Sequence, residues 1–419
     1  MNSQSEHKRR FISLVRKIKI LTSLRQTVCL PQSYDITERQ WYVLESQLSV
    51  IANRLLSKLK NEGRLYLQRI NEPSSSKSLN NLYGEIEIEL AKCFQFYDTF
   101  MDILTQRCSP LLGTLLSGCD VLAWDALYKN HPALAIIEPP IVFCDRGFGA
   151  SILREGVPLY GNERNPLPTI QIPYSKLMEQ YNLSSILHEA GHEAMVRLGL
   201  VSVLPKCVRA ALDSVSAPDS IIDLYSMWMF EIGPDFWTFC NCGMAEAATI
   251  KEILSLPTKL VFQVSPTDPH PNPLVRVLLS FQWCKYLWGS GLWDQWENMW
   301  LEAYPIEHAP EESRRIIHMA TKYMPIVSKT LFNTRFKILN DMTIPSLFDL
   351  DVLNPWKLRR IVDSLSSGTM KLTGLSPCTQ LAAFRLLRDA GNHEESVIYD
   401  LMTRWLKALG KRKSILLNQ

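Results

Sequence analysis

The sequence predicts a predominantly helical α+β protein, with one small sheet set between two helical regions. Three observations carry this. Apolar residues recur at steps of three and four along most of the 419-residue chain, which is the spacing of one helix face. Only Ala133–Ile172 breaks the pattern, with the short β-type runs AIIEPPIVFC and TIQIP separated by a Gly-, Arg- and Pro-containing stretch. Prolines punctuate the rest as loops between helices.

Bulk properties exclude several classes. A hydrophobic content of 46% and a charged content of 21% are ordinary for a soluble globular chain. The length allows one large lobed domain or two domains. A net charge of +3 is too small to imply nucleic acid, and no apolar run is long enough to span a bilayer. Charges interrupt the apolar run of MNSQSEHKRRFISLVRKIKI, so it does not read as a secretory signal. The ten cysteines form no CxxC pair, and Cys240 and Cys242 make only a CxC. Without an export signal they read as reduced thiols packed in the core, and the compartment as the cytoplasm.

The helical N-terminal region is expected over 1–132. Phe11, Leu14, Val15 and Ile18 have helical spacing among Lys8, Arg9, Arg10, Arg16, Lys17 and Lys19. Such a basic amphipathic helix packs on its own domain with a solvated face, or makes a peripheral contact with an anionic membrane or a protein partner. Thr37–Arg69 is helical again, through Trp41, Leu44, Leu48, Ile51 and Leu55. Asn71–Asn81, with Pro73 and Ser74–Ser76, reads as a loop. Leu82–Tyr128 resumes as helix, broken at Ser109-Pro110.

A core region follows over 133–304 and a helical C-terminal region over 305–419. Loops are expected at Pro205, Pro218, Pro257 and Pro266–Pro273. Trp283, Trp288, Trp293, Trp296 and Trp300 read as core residues rather than a substrate wall. The basic end, Lys411, Arg412 and Lys413, reads as a frayed, solvated tail.

Leu183–Leu200 carries His188-Glu189-Ala190-Gly191-His192. Leu183, Leu187, Ala190, Ala194 and Leu198 give it an apolar helical face, Asn182 or Ser184 can cap its start, and Gly199 can end it. Two histidines four residues apart project from one face, the spacing two imidazoles need to bind one tetrahedral Zn²⁺. Glu189 can act beside such a metal without ligating it. The small Ala190 and Gly191 let another backbone or a substrate come close.

HExxH is the arrangement of zinc peptidases. The order HEAGH, EIGPD, DPHP and a downstream Arg resembles the gluzincins and, over Ile141–Tyr304, an uncharacterised group of bacterial proteins with a zincin-type core. The resemblance implies a zincin-like core, one Zn²⁺ per chain, and a metallopeptidase acting on a peptide or protein substrate with Glu189 as general base. In gluzincins the third ligand is a Glu on a later helix, and an acid four residues on orients a ligand histidine. Glu231 and Asp235 match. Gly233-Pro234 departs from the pattern, since Pro234 can kink or restart the helix. Asp213, Asp219, Asp223 and Glu246 remain rival ligands, and Glu193 reads as a surface or ion-pair residue.

Gluzincins also use a later His, Tyr or Arg to steady negative charge on the substrate oxygen, and His270 and Arg276 match by type and order. The other reading of His270 is a loop histidine capping the next helix. The strand before the metal helix is expected at the sheet edge, where an extended substrate can pair with it. HEAGH also occurs in membrane-bound ATP-dependent proteases, but this chain has no GxxxxGK[ST] loop. The competing function is a catalytically silent zincin fold kept for binding or scaffolding. A site that only holds metal has no need of Glu189.

Overall fold

Thirty or more residues of unbroken three- and four-residue apolar spacing can satisfy their backbone only as long helices. Such helices open the computed structural model of the chain, which describes residues 3–69, 73–159, 163–265, 267–366, 372, 374–413 and 417. They are α3 (Glu38–Gln68) and α4 (Pro73–Thr105), preceded by the shorter α1 (Ser3–Ile20) and α2 (Leu24–Val28). Helix α1 turns Leu14 and Ile18 inward against α3 and α4, and leaves its lysines and arginines exposed. Lys17 pairs with Glu87 at 2.7 Å. The basic helix therefore packs on its own chain.

A loop over Asn71–Asn81 is not what forms. Residues 71 and 72 lie outside the described residues, and α4 already begins at Pro73. Proline suits the first helical position, where its missing N–H costs nothing. Leu79, Leu82, Tyr83 and Ile86 then give the turn a buried face.

Helices α5 (Pro110–Leu127) and α6 (Pro132–Ala135) lead into the sheet. Buried side chains fall into two cores, one built on α1–α4 with Ile141 and Leu167, the other running from α5 onward. So α5, though inside the expected N-terminal region, packs in the larger core.

The sheet holds β1 (Ile141–Cys144), β2 (Ser151–Leu153) and β3 (Thr169–Ile172), in the order β1-β3-β2. Strand β1 runs parallel to β3 with Ile141 opposite Thr169, and β2 runs antiparallel to it with Ser151 opposite Gln171. Only the IVFC end of the first β-type run is strand, since Pro132–Ala135 turns helical. The expected edge is also corrected. β3, the strand before the His188–His192 helix, is central, and the edges are β1 and β2, of which β1 is bonded by the side chains of Gln106, Arg107 and Asp120.

Beyond the sheet come α7 (Ser184–Arg197), α8 (Leu200–Asp213), α9 (Asp219–Cys242), α10 (Met244–Ile253), α11 (Thr258–Val261), α12 (Pro273–Trp288) and α13 (Leu292–Ala303). Pro218 and Pro257 directly precede helices, as expected of loops. Pro205 instead lies inside α8, and Pro266 falls outside the described residues. Trp283, Trp293 and Trp300 are buried in the core.

Then follow α14 (Glu311–Asn333), a two-stranded ribbon of β4 (Arg335–Phe336) and β5 (Met342–Thr343), α15 (Pro355–Ser366), α16 (Pro377–Asp389) and α17 (Glu395–Lys411). Helix α17 crosses α5 on two glycines. A Cβ on Gly118 would stand 2.2 Å from the Leu406 carbonyl oxygen, and one on Gly410 2.3 Å from that of Thr114. The basic end is not frayed at Lys413. That side chain is buried, donating to Asp120 Oδ2 at 2.6 Å and to the Asp35 carbonyl at 3.0 Å. Arg107 holds the other oxygen of Asp120 at 2.8 Å. All ten cysteines are free, six of them buried. No described helix is long and apolar enough to cross a membrane.

Candidate metal centre

Helix α7 faces the core with Ile186, Leu187, Ala190 and Ala194, and ends where Gly199 turns left-handed at φ +63°. Its start carries no side-chain cap, contrary to expectation. Leu183 occupies the cap position, and Asn182 Oδ1 instead accepts from Arg385 Nη1 at 2.7 Å. His188 and His192 project from consecutive turns, their rings edge to face with centroids 4.8 Å apart.

Helix α9 meets α7 at the residue between these histidines. A Cβ on Gly191 would lie 3.1 Å from both Cα and the carbonyl oxygen of Pro234. The small residue of the motif thus admits a neighbouring backbone. Helix α9 runs unbroken through Pro234, so Glu231 and Asp235 stay one turn apart on one buried face.

The donor atoms converge. His188 Nε2 lies 3.1 Å from His192 Nε2 and 3.2 Å from Glu231 Oε2, and His192 Nε2 lies 3.6 Å from Glu231 Oε1. On the far side of its ring, His188 Nδ1 is 2.8 Å from Asp235 Oδ1. That contact is an ion pair at hydrogen-bond distance. His188, Asp235 and Glu246 form a second close group, with ligand atoms within 4.8 Å of one another. Buried histidine and acid groups of this kind can hold a metal ion.

Burial works against charge on every group here, and it prevails except where neighbours outweigh it. Burial lowers His188, but Asp235 and Glu231 reverse this and raise it to about 10. Burial, with His188 alongside, pushes His192 down to about 4. Glu189 is raised by burial, which makes it a stronger base. Glu231 is held below the usual range because His188, His192 and Arg276 outweigh its burial. Burial and the neighbouring Asp235 push Glu246 up to about 8.

Arg276 faces the site from the first turn of α12, 3.9 Å from Glu231 Oε2, with its fork engaged by Asp235. His270 is over half exposed, and its Nε2 lies 3.7 Å from Glu231 Oε2. Its Nδ1 is 2.7 Å from Asp268 Oδ1, which orients the ring. It does not cap α12, because Asn272 does so by accepting from the Val275 N–H.

Of the rival acids, Asp213, Asp219 and Asp223 are exposed, and Asp223 pairs with Arg209. Only Glu246 comes near His188. Glu193 is an ion-pair residue but not a surface one, being buried with Arg197 at 2.8 Å. A cavity of about 780 Å³ joins His188, Glu189, His192, Glu231, His270 and Arg276 to the β2 edge, and Lys176, Ser184 and Arg154 also line it. Sequence reasoning did not single out those last three for a functional role. Their side-chain types are common on surfaces, and only the fold turns them inward. No protein family, curated protein or solved structure that was compared matches this chain.

Proposed function

We propose that the chain is a zinc-dependent hydrolase with a zincin-like core, a metallopeptidase that cleaves amide bonds. The observation that carries this is the convergence of two imidazoles on one carboxylate: His188 Nε2 lies 3.1 Å from His192 Nε2 and 3.2 Å from Glu231 Oε2, and His192 Nε2 lies 3.6 Å from Glu231 Oε1. Ligands bound tetrahedrally at about 2.0–2.1 Å stand about 3.3–3.4 Å from one another. Two neutral imidazoles and one carboxylate are also a donor set that suits zinc. His188, His192 and Glu231 would be the ligands on this reading, and all three line the cavity.

A bound Zn²⁺ supplies Lewis acidity, polarising a carbonyl and making water nucleophilic near neutral pH. Glu189, raised by burial, takes the water's proton and delivers it to the leaving amine. His270 stands where its ring can donate to the carbonyl oxygen as negative charge develops, oriented through Nδ1 by Asp268. Arg276 acts differently from expectation on this reading. Its fork is committed to Asp235, so it fixes the acid behind His188 and lends positive charge at a distance. Asp235 in turn fixes the ring and strengthens it as a ligand. The free edge of β2 borders the same cavity and can pair with an extended peptide.

The test is metal content of the purified full chain. The wild type is expected to hold one zinc per chain and His188→Ala none. Glu231→Gln should bind more weakly, because a neutral amide is a poorer ligand. Unchanged stoichiometry in Glu231→Gln, with loss in Glu246→Gln, would move the site to the second acid group.

A further inference from the structure

We infer that the cavity contains a carboxylate-binding subsite, formed by Lys176 and the first turn of α7, which receives an anionic group of the substrate. This deepens the metallopeptidase reading and rests on it. Lys176 sits on the 3₁₀ turn Tyr174–Leu177, is 7% exposed, and lines the cavity. Among the described residues no carboxylate lies within ion-pair distance of its ammonium. A buried charge without a partner is costly, so such positions are kept where a ligand completes them.

The second observation concerns the same cavity. Helix α7 has fourteen residues, and its first turn bears no side-chain cap, although Ser184 and Ser185 both face the cavity. Ser184 Oγ is buried beside the Glu246 carboxyl, to which its hydroxyl can donate. The 3₁₀ turn Gln180–Asn182 leads into this helix and the Leu183 carbonyl takes the Ile186 N–H, so what its first turn offers an anion is the positive end of the helix dipole. Glu246 also lines the cavity, but its carboxyl belongs to the group with His188 and Asp235. Burial lowers the Lys176 ammonium, with Glu179 and Glu252 opposing from further away, and an arriving carboxylate would oppose that lowering directly.

Distance sets the substrate class. Ser184 precedes His188 by one helical turn, about 6 Å along the axis. One extended residue spans about 3.3–3.6 Å. A carboxylate one or two residues beyond the scissile bond therefore reaches this subsite. Its source is either the peptide's C-terminus, which makes the protein a carboxy-terminal trimming enzyme, or an Asp or Glu side chain beside the cleaved bond.

The experiment measures binding by calorimetry on zinc-loaded full-length protein. The probes are four succinyl hydroxamates, coupled to leucine as free acid or amide, and to glutamate amide or glutamine amide. A charge-assisted bond in a buried site predicts that a carboxylate tightens binding roughly 10- to 100-fold. Free-acid preference identifies the C-terminus as source, and preference for the glutamate amide identifies the side chain. Either preference should vanish in Lys176→Met and persist in part in Lys176→Arg. No carboxylate preference in the wild type, or a preference that survives Lys176→Met, overturns the subsite. If no probe binds the loaded protein, or the protein takes up no zinc, the metallopeptidase reading fails and the subsite falls with it.

Discussion

Arg276 holds Asp235 with two parallel hydrogen bonds of 2.7 Å, Nε to Oδ2 and Nη2 to Oδ1. Asp235 passes that constraint to His188 Nδ1, 2.8 Å away. The ring's other nitrogen faces His192 and Glu231, so its direction is set by a chain of charges from α12 through α9 to α7. Arg276 and His188 hold the Asp235 carboxyl well below the usual carboxylate range despite complete burial.

Removing either partner should have different effects. Asp235→Asn is expected to lower zinc affinity about 10- to 100-fold while the fold survives, since it weakens a ligand's support without removing the ligand. Arg276→Met strands a buried acid, a change that costs about 3–5 kcal/mol when a buried pair is broken. Zinc competition assays and urea unfolding separate the two. Equal zinc affinity in Asp235→Asn would show that this charge chain does not tune the metal.

Catalysis should separate from binding. Glu189→Gln is expected to retain zinc and lose hydrolysis by orders of magnitude, because the proposed mechanism uses Glu189 as a base and not as a ligand. His270→Ala should also retain zinc, with kcat lower by about 10²–10³ and a smaller change in KM. Steady-state rates on a substrate found by peptide-library cleavage measure both. Unimpaired turnover in Glu189→Gln would refute the hydrolytic mechanism.

Gly191→Ala tests the crossing of α7 and α9. A new Cβ 3.1 Å from the Pro234 backbone must push the helices apart by a few tenths of an ångström. The expected cost is about 1–3 kcal/mol in stability, accompanied by weaker zinc binding. Gly199→Ala is not a matched control, since its φ of +63° strains any side chain. Gly84, whose Cβ would meet nothing within 4 Å, is the matched site.

Lys413 provides a pH signature away from the metal. Burial pushes its ammonium down to about 8, despite the pull of Asp120. Its folded pKa lies below the ordinary 10.5, so between those values the unfolded chain binds more protons. This group's contribution to stability therefore rises with pH across that window and is flat below it. Unfolding midpoints at several pH values, compared with Lys413→Met, isolate the slope. A parallel pH profile in the variant would contradict the buried charge.

What was legible in the sequence is what short-range spacing determines. HEAGH and the Glu231–Asp235 step needed only helical geometry, and α9 keeps that geometry through Pro234. One backbone bond lost there is small beside the burial of nearly every residue from Glu231 to Cys242. Long-range partners were not legible. Lys413 reads as a tail residue until Asp120, 293 positions away, is seen to bind it. Strand β2 is three residues long and has no alternation to detect, and its edge position exists only through pairing with β3. Lys176 and Arg154 give no local sign of facing a cavity.

On the proposed reading, the meeting of Gly191 with Pro234 would also couple the protein's lifetime to its metal supply. The donor atoms sit on two helices that touch at that point, so an ion held between them binds the folded chain alone. By mass action, free zinc at 100 times its dissociation constant adds about 2.7 kcal/mol to folding. Chelation then removes more than chemistry. It returns the chain to a less stable population that proteases reach sooner, so zinc availability would govern how much of the protein persists as well as how much of it is active.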